Sequence, residues 1–290
     1  MNKFTRRTVI AAACAAAAMT FAPMSFAQQA PEKKDVTIAV GGKSLYYYLP
    51  LSIAEQLGYF KDEGLNVKIV DFQGGSRSLQ AVVGGSADVV SGAFEHTISM
   101  QAKKQPMTAF VLQGRAPQLA LVVSNKTMKD YKQLSDLKGK KVGVTAPGSS
   151  SQMVANFILK KGGLGPKDVA FIGVGSSSGA VSAIRSGQID ALINLDPVIT
   201  ILLKNGDAKL VADTRKVKES ESFFGGTMPA GCLYAPVSFI EKNPQTVQAL
   251  TNAIVRADEW LSKATPEEVA KVVPASYLMG NRDIYLAGFE

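Results

Sequence analysis

One histidine, one tryptophan and two cysteines are all that 290 residues contain of these types, and each scarcity excludes something. Cys14 lies in what reads as a removable leader, so Cys232 is left without a partner and no disulfide framework is expected. A lone histidine and a lone thiol cannot furnish a zinc constellation, and no metal or other cofactor is expected. No basic stripe is interleaved with aromatics; the densest cationic spots are Lys103-Lys104 and Lys138-Gly139-Lys140-Lys141, so nucleic acid is not an expected partner. After the leader, no run approaches the ~20 apolar residues of a membrane span. Nucleophile elbows and phosphate loops are missing, and Gly173-Val174-Gly175 stops short of a dinucleotide fingerprint.

The leader is MNKFTRRTVIAAACAAAAMTFAPMSFA. Lys3, Arg6 and Arg7 precede an Ala-rich apolar stretch, and Ser25-Phe26-Ala27 is a small-x-small cleavage pattern, so an export signal ends after Ala27. Thr5-Arg6-Arg7 admits the twin-arginine route as well as the general secretory one. Ala11-Ala12-Ala13 lacks the leucine that normally precedes a lipidated cysteine, which argues against lipidation at Cys14. The mature chain has 263 residues, enough for two domains or one large one. Without the three leader cations it carries 29 Lys and Arg against 24 Asp and Glu, net +5, a balance that favours small anions over acidic polymers.

What the chain does contain is a repeat. Residues 69–95, IVDFQGGSRSLQAVVGGSADVVSGAFE, lie over residues 171–197, FIGVGSSSGAVSAIRSGQIDALINLDP, at a constant offset of 102 without a gap. Both read as a β-rich run, a Gly/Ser loop, an amphipathic helix, Gly-x-x-Asp and a second apolar strand. Ala81 matches Ala183, Gly85 matches Gly187, and Asp88 matches Asp190. Upstream, the strand at 36–40 runs into Gly41-Gly42-Lys43-Ser44 and a helix to about Leu57; the strand at 141–144 runs into residues 145–151 and a helix to about Lys161. Both helices stop at glycine, Gly58 and Gly162-Gly163, as a left-handed C-cap requires. Strands alternating with helices predict parallel βαβ units in an α/β fold of two similar lobes, with a cleft between them.

The stretch Gly58-Tyr59-Phe60-Lys61-Asp62-Glu63-Gly64-Leu65-Asn66-Val67, the Gly74-Gly75-Ser76 loop, the Gly-x-x-Asp strand entries and Asp196-Pro197 resemble the solute-binding proteins of ABC transporters, of the nitrate/sulfonate/taurine type. The resemblance runs from about residue 34 to residue 290. It implies a two-lobed periplasmic-binding-protein fold of type II, each lobe a mainly parallel sheet flanked by helices. It also implies a periplasmic monomer that closes on a small-molecule ligand and docks on an ABC-transporter membrane permease. The family pattern carries further C-terminal helix, so a truncation at Glu290 is expected. Lobe 1 is expected to comprise residues 34–122 and 236–290, and lobe 2 residues 123–235, with crossings near Val122-Val123-Ser124 and Ala235-Pro236-Val237. Val247, Leu250, Ile254, Ala257 and Leu261 recur at helical spacing after Pro244 and predict a core-packed helix with Trp260 at its edge.

In open α/β sheets, ligands lie beyond the carboxyl ends of the strands. That rule selects Lys43, Ser44 and Tyr46, then Gly75, Ser76 and Arg77, then Phe94, Glu95 and His96 in lobe 1. In lobe 2 it selects Gly148, Ser149, Ser150 and Ser177, with Asp196 at the position matching Phe94. Glycine lets backbone amides turn inward, serine donates or caps, and a helix N-terminus favours an anion. Ordinary N-capping explains any one such loop; the set at equivalent strand ends points to an oxyanion clamp. Lys43, Arg77 and Arg115 read either as anion partners or as solvated loop charges. Of Tyr46-Tyr47-Tyr48, Tyr46 is the expected cleft wall.

Glu95-His96 offers hydrogen bonds whose sign depends on pH, and a Glu-His pair also serves acid–base catalysis. The architecture is similar to that of yeast-type thiamine-pyrimidine synthases, whose cysteine-rich motif is absent here. A non-catalytic receptor for a small organic anion (sulfonate, nitrate-like or carboxylate) is therefore expected. The alternative is a receptor for a thiamine-precursor-like pyrimidine or other heteroaromatic, which Glu95, Asp196 and the aromatics would suit.

Overall fold

The computed structural model describes residues 30–228 and 230–289; the expected export signal and Cys14 lie outside them. Ten strands follow in chain order: β1 (Asp35–Val40), β2 (Asn66–Asp71), β3 (Val89–Ala93), β4 (Met107–Leu112), β5 (Ala120–Ser124), β6 (Lys141–Val144), β7 (Ala170–Gly173), β8 (Ala191–Asn194), β9 (Ala208–Asp213) and β10 (Gly231–Pro236). They form two five-stranded sheets of matching order, β2-β1-β3-β10-β4 and β7-β6-β8-β5-β9. In each, three parallel strands are extended by an antiparallel fourth, β10 in the first sheet and β5 in the second. β3 and β8 are buried at every position, as strands covered on both faces should be.

Flanking lobe 1 are α1 (Leu49–Gln56), the short α2 (Tyr59–Asp62), α3 (Gly75–Val83) and α4 (Glu95–Ala102). Lobe 2 has α5 (Ser150–Lys161), α6 (Ser178–Ser186), α7 (Val198–Lys204) and α8 (Val217–Phe224). The C-terminal run supplies α9 (Val237–Lys242), α10 (Pro244–Leu261), α11 (Pro266–Val272) and α12 (Arg282–Ala287). No helix of the described residues is long and apolar enough to cross a membrane.

The internal repeat is a repeat in space. Gly85 and Gly187 both turn the chain at positive φ, 76° and 81°, where a side chain would be strained. Three residues later, Asp88 Oδ2 accepts the Thr37 amide at 2.9 Å and Asp190 Oδ2 accepts the Lys141 amide at 2.9 Å. Each aspartate thus pins the entry of a parallel strand to the strand beside it.

Two boundaries differ from expectation. β5 belongs wholly to the second sheet and β10 wholly to the first, so the chain changes lobe within residues 113–119 and again within 214–230, before the expected points. The reason is reciprocal: each sheet inserts, between its last two strands, the strand that has just crossed over. Apolar runs read along the sequence do not show which sheet receives them.

α10 packs on α1 and α2. Its buried line is Thr246, Ala249, Leu250, Ala253, Ile254 and Ala257, while Val247 and Leu261 are only half-buried. Fully buried Leu250 and Ile254 contribute about 1.5–3 kcal/mol each by removal from water. α12 turns back across the molecule and packs on α7 of lobe 2.

Candidate functional site

The carboxyl ends of β1, β2, β3, β6, β7 and β8 face one another across the two lobes. At the end of β2, Asp71 accepts the amides of Gly42 (2.8 Å), Lys43 (3.0 Å) and Gln73 (2.9 Å). The first glycine loop is therefore already occupied by a carboxylate of its own lobe, a role that nothing in the Asp71 neighbourhood of the sequence announced. Lys43 does not extend toward the opposite lobe; its Nζ lies 2.6 Å from Glu55 on α1. Ser44 is half-buried in the same turn, and Arg77 is exposed on the first turn of α3.

The serine loops meet. The Ser76 amide donates to Ser149 Oγ at 3.0 Å, Ser149 Oγ donates to Ser76 Oγ at 3.2 Å, and Ser76 Oγ donates to the Pro147 carbonyl at 2.9 Å. Ser149 stands at the N-cap of α5 yet makes no side-chain bond to its own helix. Its hydroxyl serves the amide end of α3 instead. Gly74 makes this approach feasible: a Cβ there would lie 2.7 Å from that of Ala146. Gly148 faces Ser76, Ser150 opens α5, and Ser177 stands at the N-cap of α6 without a side-chain bond to it. A third bridge joins the Tyr46 amide to the Asp196 carbonyl at 3.0 Å.

Phe94 caps α4, with Glu95 and His96 in its first turn. His96 is 1% exposed; its Nδ1 lies 3.0 Å from the Tyr234 hydroxyl on β10, and its Nε2 has no protein partner. Burial lowers the His96 pKa to about 4, with the Gly148 backbone across the cleft pulling the other way. Burial raises the Glu95 pKa to about 7, and Glu95 Oε2 also lacks a partner. The pair is thus an essentially neutral imidazole next to a carboxyl that shares its proton near neutrality.

Beside Tyr46 lies a cavity of about 340 Å³, lined also by Asp196, Thr200, Asp213, Arg215 and Phe289. Tyr46 stacks on Phe289, with centroids 4.5 Å apart, and its hydroxyl donates to the Tyr285 carbonyl. Asp196 Oδ1 accepts from the Thr200 amide and hydroxyl, and Oδ2 accepts from Arg215 Nη1 at 3.1 Å. Arg215 also grips Asp213. Asp196 is therefore spent on structure through its side chain and on the other lobe through its carbonyl. Arg215 escaped the sequence reading because the loop that carries it follows the edge strand β9, which shares the direction of β6–β8 but joins them only through the antiparallel β5. Among the described residues no group of three or more His, Cys, Asp or Glu could hold a metal.

Two mixed sheets flanked by helices, facing each other across such a rim, define the periplasmic-binding-protein fold. The fold is shared with the alkanesulfonate-binding protein SsuA of Xanthomonas axonopodis pv. citri, at 21% identity and a TM-score of 0.67 over 88% of this chain and 85% of that one. The chain belongs to the NMT1/THI5-like family, whose model matches residues 46–269. A solved structure from Bordetella bronchiseptica RB50 is similar at 61% identity and a TM-score of 0.89, covering 90% of this chain and 82% of that one. The protein YtlA of Bacillus subtilis is 25% identical over 100% of this chain and 84% of its own length. The 4-amino-5-hydroxymethyl-2-methylpyrimidine phosphate synthase of Aspergillus parasiticus is also 25% identical, over 88% of this chain and 75% of its own.

Proposed function

We propose that this chain is the exported solute receptor of an ABC importer, closing on a small organic anion between its lobes and delivering it to the membrane permease. The observation that carries this reading is the contact of Ser76 with Ser149, which sets the amide ends of α3 and α5 against each other across the cleft. Inserted there, a sulfonate or carboxylate takes over the hydroxyls and meets first-turn amides from both helices. The ligand then holds the lobes together, and hinge motion about the two crossings releases it.

A heteroaromatic such as a pyrimidine is the second reading, favoured by Glu95, a carboxyl held half-neutral beside Tyr47 and Tyr48. Catalysis is disfavoured by Cys232, whose buried thiol is pushed up to about 12 and is unfit as a nucleophile. The synthases among the relatives keep that question experimental.

The test is a thermal-shift screen of the chain from Gln28 against nitrate, taurine, alkane- and arylsulfonates, aromatic carboxylates and aminopyrimidines. A ligand at 100 times its Kd adds roughly 2.7 kcal/mol of stability, so shifts of several degrees are expected with acids. Shifts confined to aminopyrimidines would replace the oxyanion clamp by the second reading, and turnover of any of these compounds would end the receptor reading.

A further inference from the structure

The chain crosses between the sheets twice, and its C-terminal run then bridges the lobes a third time. Tyr277 is tied to lobe 1, its hydroxyl 3.3 Å from that of Ser52 on α1. Two residues later, Met279 packs into the apolar cluster of lobe 2 around Val198, Ile199 and Leu202 of α7. The turn that carries it there is held under constraint. Met279 has φ 48°, a left-handed backbone that a residue with a side chain keeps only where its surroundings enforce it. α12 follows, capped by Asn281, whose side chain accepts the Ile284 amide at 3.0 Å, and packs on α7.

From lobe 2 the chain takes hold of lobe 1 again, at Tyr46. Phe289 stacks on the Tyr46 ring at 4.5 Å, Tyr285 meets it edge-on at 4.9 Å, and the Tyr46 hydroxyl donates to the Tyr285 carbonyl. Gly288 permits this approach, since a Cβ there would stand 2.8 Å from the Tyr46 ring. The Tyr46 amide meanwhile donates to the Asp196 carbonyl of lobe 2, so the clasp sits beside a bond between lobes. Ala287, Gly288 and Phe289 also line the cavity of about 340 Å³, together with Gln118 of the first crossing and Arg215 and Lys216 of the second. The segment thus lies next to the hinge, with open space at its side.

We propose that residues 277–289 form a strap that clasps Tyr46 and holds the two lobes together independently of ligand. Opening the cleft carries Tyr46 away with lobe 1 while α12 stays on lobe 2, so the clasp breaks whenever the lobes part. One aromatic contact of this kind shifts an equilibrium roughly 2- to 12-fold. The two contacts at Tyr46 therefore bias the lobes toward closure by about 10-fold or more. A solute adds its own differential affinity to that bias and does not supply all of it.

The test uses no ligand, so its outcome is independent of the receptor reading. Spin labels are attached at Ile98→Cys of α4 and Phe157→Cys of α5, both exposed and outside the rim and the strap, in the chain from Gln28. Cys232 is buried and stays unlabelled. Pulsed electron paramagnetic resonance then compares the interlobe distance in this protein with that after adding Gly288→Val or Phe289→Ala. At Gly288 φ is −74°, which any residue adopts, so the obstacle to valine is Tyr46. Phe289→Ala removes the stacked ring without a collision.

The expected result is a predominantly short distance in the labelled parent. The population at longer distance should rise about 10-fold with Gly288→Val and at least about twofold with Phe289→Ala. Both variants should keep a cooperative unfolding transition. The proposal is overturned if folded variants leave the distance distribution unchanged, since the segment would then only pack. It is equally overturned if the parent itself shows the long distance alone. Should Gly288→Val not fold, Phe289→Ala decides by the same criterion.

Discussion

Ser76 of lobe 1 and Ser149 of lobe 2 bond to each other twice, amide to hydroxyl at 3.0 Å and hydroxyl to hydroxyl at 3.2 Å. A residue at a helix N-cap has been turned from a local task to one between lobes. Ser149→Ala removes both bonds and leaves each sheet untouched. With net values near 1 kcal/mol per bond, anion affinity is expected to fall about 5- to 50-fold, read by calorimetry. Unchanged affinity would place the ligand elsewhere.

Gly74 tests closure separately from ligand chemistry. Its backbone is extended, φ −179°, a conformation any residue adopts, so lobe 1 itself tolerates a side chain there. The obstacle is Ala146 of the other lobe, 2.7 Å from where a Cβ would stand. Gly74→Val is therefore expected to keep its thermal stability and lose closure. Small-angle scattering should show that the radius of gyration no longer contracts with ligand; a normal contraction would mean the rim gives way.

Glu95 makes stability depend on pH in a defined direction. Its folded pKa, raised by burial to about 7 from 4.5, means the folded state holds the proton more tightly than the unfolded chain. Its contribution is therefore unpenalised below about 4.5, declines as pH rises, and costs at most about 3 kcal/mol above 7. His96, lowered to about 4 from 6.5, acts oppositely: stability falls as pH drops from 6.5 to 4. Glu95→Gln is expected to match the unaltered protein at pH 4.5 and exceed it at pH 8 in urea unfolding. An equal difference at both pH values would contradict the burial of an ionisable carboxyl.

Cys232 is expected to be silent. It is fully buried on β10, and burial, with Glu95 nearby, pushes its thiol up to about 12. At pH 8 its thiolate fraction is about 10³ lower than for a thiol at the ordinary value. Alkylation should proceed only after denaturation. Labelling of the native protein at the rate of free cysteine would show that this end of lobe 1 opens to solvent.

Much of the architecture was legible along the chain because its signals are local. Gly58 and Gly187 stop helices by adopting positive φ, and Asp88 and Asp190 recur at one offset because both pin a strand entry to its neighbour. Periodicity marked α10 through Leu250, Ile254 and Ala257, which are buried, whereas Thr246, Ala249 and Ala253 complete the buried line and Val247 and Leu261 lie at its edge. The lobe crossings were less legible, since β5 and β10 carry the same apolar pattern whichever sheet receives them. The candidate rim was legible as a set of loops and not as a set of partners.

What the sequence determined by itself is therefore the repeated βαβ lobe and the order of its elements, properties of residues close together in the chain. Only the tertiary structure decided which polar groups are already taken. Asp71 fills the first glycine loop, Glu55 holds Lys43, Arg215 and Thr200 hold Asp196, and Ser149 leaves its own helix for Ser76. The physical reason is that a buried hydrogen-bonding group takes the partner nearest in space, and in a chain that crosses twice between lobes that partner can lie far away in sequence.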